Sequence, residues 1–128
     1  MVLFVKAISE NRLSLPLVDT ASDPIQIDFS PTSRLLFEAL DQNGNTILLK
    51  EAQVSPSTDY LGVSYAEVSI TEEESSALLE AGRVNVWNLV HEYYVGEEDP
   101  PNPMERRREV ITYGMLVCHQ VRKNLEEG

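Results

Sequence analysis

The sequence predicts an all-β fold class: two antiparallel sheets packed as a β-sandwich, with one short helix at about residues 71–81. Three observations predict it. Apolar and polar residues alternate with period two in several short segments, as half-buried strands require. Turn residues separate those segments at a spacing of about 8–12 residues, the spacing of sandwiches and barrels. Helix-cap chemistry occurs at one place, so the helices that a parallel α/β fold would place between its strands have no sequence signal.

Taken in order, residues 1–24 are the least regular part and read as an N-terminal strand or arm, with NRLSLPLVD able to lie on a neighbour. The sandwich is expected over 25–123, and 124–128 as a frayed C-terminus. Within it, 25–29 (IQIDF) alternate cleanly, with Ile25, Ile27 and Phe29 on one face. Residues 34–40 and 46–54 read as the next two strands, joined through Asp41-Gln42-Asn43-Gly44. Asn-Gly tolerates positive φ at both central turn positions, which makes it a strong hairpin signal. A polar loop over 55–60 precedes a strand at 62–70, whose buried face the pattern leaves open.

Thr71 followed by Glu72, Glu73 and Glu74 forms a capping box at a helix start. The Thr71 hydroxyl can accept from the Glu74 amide, and the Glu74 carboxylate can reach back to the Thr71 amide. The three acids also complement the positive end of the helix dipole. Gly82 supplies the stop. Residues 83–94 return to strand, with large apolar groups on both faces, as a central strand packed on each side would carry. Residues 95–105, with three prolines, read as a loop. Residues 108–121 form a long last strand in which Gly114 marks a bulge or a close approach of backbone.

A chain of 128 residues fits one domain, and 42% hydrophobic residues suffice for a core. Acidic residues outnumber basic ones 21 to 10, for a formal charge of −11. That balance opposes a phosphate backbone, whose affinity comes largely from Lys and Arg, and it opposes anionic membranes. Neither a nucleic acid nor a membrane is an expected partner. The start has an apolar run but no basic lead, and no stretch approaches the roughly 20 apolar residues of a membrane helix. The expected location is the cytoplasm, or a larger particle assembled there. Cys118 is the single cysteine and sits between apolar neighbours, so it reads as a core thiol.

The candidate chemistry is thin. His91 lacks a second histidine one helical turn on, and in a strand Glu92 turns to the opposite face. With His119 and Cys118 it falls short of the four convergent ligands of a zinc site. Glu72–Glu74 are explained by capping, and Glu97, Glu98 and Asp99 lie in a proline-rich loop without a calcium-loop pattern. There is no nucleophile elbow and no glycine-rich phosphate loop, so no catalytic residue and no cofactor is assigned. Arg106, Arg107 and Arg108 are the cationic run of an acidic chain. They read either as an inter-subunit anchor for carboxylates or as local partners of the 97–99 acids. Trp87, Tyr93, Tyr94 and Tyr113 suit a core or a sugar-stacking platform, with the core reading favoured.

From 25 to 121 the layout resembles the Ig-like β-sandwich domains of bacteriophage virion proteins, including N-terminal domains of baseplate and fibre components. The residues that carry the resemblance are DQNGN at 41–45, GVSYAEVSI at 62–70, the helix and stop TEEESSALLEAG at 71–82, and RVNVWNLV at 83–90. The resemblance implies a non-enzymatic virion protein that self-associates as a homo-oligomer and docks on other virion proteins. The chain ends soon after the sandwich, which favours a compact tail, neck, baseplate or capsid accessory component over a fibre. A second expectation is a carbohydrate- or peptide-binding sandwich using Tyr93, Tyr94 and the 95–105 loop. A third is a small enzyme with carboxylates near 91–99.

Overall fold

In a computed structural model, the described residues are 1–18, 24–25, 33–55, 58–95 and 105–120. They form seven strands and one helix: β1 (Val2–Lys6), β2 (Asn11–Pro16), β3 (Arg34–Leu40), β4 (Thr46–Val54), β5 (Tyr65–Ile70), α1 (Glu72–Ala81), β6 (Val84–Val95) and β7 (Glu105–His119). The protein is all-β with one short helix. The strands make one sheet in the order β1-β7-β6-β3-β4-β5-β2. Its two edges, β1 and β2, are consecutive in the chain, so the sheet curls until it nearly closes. Two facing layers result, and β4 belongs to both, pairing with β3 through Thr46–Ala52 and with β5 through Gln53–Val54.

The pairing is antiparallel except at one edge. β1 runs parallel to β7, with Val2 opposite Met115 and Lys6 opposite His119. The described N-terminal residues 1–18 thus include two strands of the same sheet as the rest. β1 and β2 are strands of the sheet and supply Leu3, Val5, Leu13 and Leu15 to the core. The strand expected at 25–29 lies outside the described residues except for Ile25, whose amide donates to the Leu17 carbonyl.

Inside, Phe37 and Trp87 stack with ring centroids 6.1 Å apart, among Leu15, Leu35, Leu89 and Leu116. Burial of each such side chain stabilises the fold by roughly 1.5–3 kcal/mol. On β5 the buried set is Ala66, Val68 and Ile70, which resolves the ambiguous face of 62–70. Leu78 of α1 joins the same core. The capping box forms as expected, with Thr71 Oγ1 accepting from the Glu74 amide and Glu74 Oε1 accepting from the Thr71 amide. Ser75, fully buried, accepts from the Ser9 amide and donates to the Ser9 carbonyl, so the helix is pinned to the β1–β2 turn.

Two turns share one design. In the β3–β4 hairpin, Asp41 Oδ1 accepts from the amides of Asn43 and Asn45, and Gly44 adopts φ +83°. Asn43 keeps a negative φ, so only one of the two expected residues enters the left-handed region. Before β5, Asp59 Oδ1 accepts from the amides of Leu61 and Val63, and Gly62 adopts φ +80°. These amides hold both aspartate carboxyls below their ordinary pKa, with Asn45 the largest influence on Asp41 and Val63 on Asp59.

Gly114 is a close-approach point. A Cβ there would sit 1.9 Å from the Met1 carbonyl oxygen and 3.0 Å from Trp87 Nε1. Gly114→Ala is expected to push β1 off β7 and cost about 1–3 kcal/mol through overpacking. The check is a chemical melt combined with faster hydrogen exchange confined to the Val2–Lys6 amides. In the β1–β2 turn, Ile8 has φ 57° although it is β-branched, a conformation that costs roughly 1–2 kcal/mol. Its side chain is half exposed, so Ile8→Asn should raise the melting temperature by about 3–5 °C.

Candidate functional site

The curled sheet turns one face inward and one outward, and the registers across β1, β7, β6 and β3 place side chains on the outer face in rows. One row runs Val2, Met115, Val86, Leu40. The row beside it runs Phe4, Val117, Val84. Tyr113 lies next along β7, opposite Asn88. In a sheet with one wet face these positions would be polar. Instead Phe4 is 63% exposed, Tyr113 64% and Met115 48%, with Val2, Val84 and Val86 each about 40% or more. The apolar groups on both faces of the 83–94 strand are thus explained on the inner side by the core, while on the outer side Val84 and Val86 face solvent and Val90 is buried.

Farther along the same outer face the chemistry changes to charge. Glu92 stands between Arg34 on β3 and Arg108 on β7, its register partners. Arg34 Nε donates to Glu92 Oε1 at 2.9 Å, and Arg108 Nε donates to Oε2 at 2.7 Å. The Glu92 side chain is only 1% exposed, while those of Arg34 and Arg108 are 45% and 42% exposed. Burial pushes the Glu92 carboxyl up, but the hydrogen bonds and charges of Arg108 and Arg34 outweigh it and hold the group below its ordinary value of 4.5. The same pairing raises Arg34.

A bulge makes this triad possible. Leu89 pairs with Thr112 and Val90 with Val110, so Ile111 is an extra residue on β7. One inserted residue switches the parity of a strand. Leu116 and Cys118 point into the core beyond the bulge, whereas Arg106, Arg108 and Val110 before it share the outer face with Glu92. Of the two alternatives the sequence offers at Gly114, the close approach is found and the bulge lies at Ile111, while neither Arg34 nor the acceptor role of Glu92 was read from the sequence.

β3 begins opposite Glu92, and beyond that point β6 and β7 continue, among the described residues, as a two-stranded ribbon through Val95 and Glu105. All the suggested interface residues lie there. Arg106 pairs in register with Tyr94 on the outer face, and Arg107 with Tyr93 on the inner face. Tyr93 stacks on His91 with centroids 5.1 Å apart. Successive strand positions face apart, so Tyr93 and Tyr94 do not form one stacking platform. Arg107 Nη2 lies 3.5 Å from Glu105, an exposed pair worth little. The 97–99 acids lie outside the described residues.

The remaining candidates resolve simply. Cys118 is buried, and burial raises its thiol pKa, as in an unreactive core thiol. Among the described residues no three His, Cys, Asp or Glu side chains converge on a metal position. No described helix is long and apolar enough to cross a membrane. Trp87 is fully buried and donates from Nε1 to the Met115 carbonyl at 3.1 Å, so it belongs to the core. No protein-family model matches the chain, and no curated protein sequence matches it.

The depressed Glu92 pKa sets a pH dependence. Stabilisation from this group is fully present above its unfolded pKa and is lost as pH falls through the lower folded value. Thermal melts of the native chain and Glu92→Gln should differ most at neutral pH. The gap should close as the pH drops below about 4.5, and a constant gap would show that ionisation plays no part.

Proposed function

We propose that this chain is a non-enzymatic structural and assembly component of a bacteriophage virion, working by self-association and by docking on other virion proteins. The single observation that carries the assembly reading is the exposed apolar outer face of β1, β7 and β6. Six neighbouring apolar side chains about 40% or more exposed make a contiguous patch, and the largest apolar patch on a protein surface is often an interaction site. The ribbon of β6 and β7 supports it as a second contact, presenting Arg106 and Arg108 beside Tyr94, residue types enriched at interfaces. The virion setting rests on the resemblance of the 41–90 layout to Ig-like domains of phage structural proteins. On that reading the chain is a tail, neck, baseplate or capsid accessory component, assembled in the host cytoplasm.

The test is quantitative mass spectrometry of purified particles from a phage that encodes the chain. The expected result is a fixed copy number relative to the major structural proteins, unchanged by further rounds of particle purification. Absence from the particles overturns the virion reading.

A further inference from the structure

We propose that the apolar outer face of β1, β7 and β6 is a homodimer interface, covered by the same face of a second copy of this chain. This rests on the assembly reading above and names the occupant. Val2, Phe4, Val84, Val86, Tyr113 and Met115 stand in regular rows on neighbouring strands, the arrangement by which two sheets pack face to face about 10 Å apart. All six are about 40% or more exposed, enough to form the centre of the roughly 800 Å² per partner that a stable complex covers.

Charge points to a second copy. Each chain carries −11, so two copies repel each other over most of their surface. The rows from Val2 and Phe4 across to Val86 and Val84 contain no carboxylate; Lys6 and His119 continue them at one end, and at the other the Tyr113 row reaches Glu38, whose carboxylate accepts from Asn88. Within the Val2 and Phe4 rows two copies can meet without opposing acids. The strands themselves make the same demand. β6 carries Trp87 and Leu89 inward and Val84 and Val86 outward, the composition of a strand covered on both sides. The monomer buries Val90 and Glu92 on the outward side but leaves Val84 and Val86 about 40% exposed.

Sedimentation velocity of the full chain, from roughly micromolar to 100 µM, should show a species of twice the 14.4 kDa chain mass. Added salt should strengthen it by screening the mutual repulsion, whereas a contact between arginines and acids would weaken. Val86→Glu and Phe4→Glu should each weaken dimerisation at least about a hundred-fold, while circular dichroism and melting temperature stay as in the native chain. Tyr60→Glu, at an exposed position before β5, should leave the dimer intact.

A native chain that stays monomeric, or a dimer indifferent to both substitutions, overturns the proposal. The two readings separate in particles. A monomeric chain whose Val86→Glu variant fails to enter particles has another protein on this face, which overturns the homodimer but leaves assembly standing. A monomer whose variant is incorporated normally overturns both the homodimer and the apolar face as the assembly surface.

Discussion

The packing of Trp87 against Phe37 across the β6–β3 ladder decides which side of the sheet is inside, and the exposure of other side chains follows from it. Strand side chains alternate strictly, so once Trp87 and Phe37 point inward, Val86 and Val84 must point outward. The indole nitrogen then ties β6 to the Met115 carbonyl, beside the glycine that lets Met1 approach β7. A slip of one residue would exchange the core for the outer face, so register and surface chemistry are one constraint.

That constraint holds along β6 but is deliberately broken on β7. The extra residue at Ile111 lets one strand serve two purposes, filling the core with Leu116 and Cys118 and furnishing the outer face with Arg108. The Arg34–Glu92–Arg108 triad then locks three neighbouring strands where the ribbon leaves the sheet. A buried carboxylate is costly to desolvate, and here two charged hydrogen bonds offset the cost.

Much of the middle of the chain was legible because its signals are local. The capping box at Thr71, the stop at Gly82 and the Asp41–Gly44 hairpin each fit within a few residues. The Asp59–Gly62 turn repeats the aspartate and glycine spacing of Asp41–Gly44, yet it was read only as the end of a polar loop. β2 also carried its signal in the alternation of Leu13, Leu15 and Leu17. Pro16 obscured it, though proline is acceptable on an edge strand. The parallel pairing of β1 with β7 and the meeting of Arg34 with Glu92 had no local trace. Each depends on residues 58 or more positions apart, and Arg108 reaches Glu92 through a bulge without a distinctive sequence.

That distant pairing has a kinetic side. β1 is synthesised more than a hundred residues before the β7 residues that satisfy its backbone. Loop-closure entropy makes such contacts slow to form, and an unpaired apolar strand is a template for aggregation in the interval. Docking of β1 is thus expected to be a late event in maturation, and the rate at which β7 is delivered bears directly on the yield of native protein.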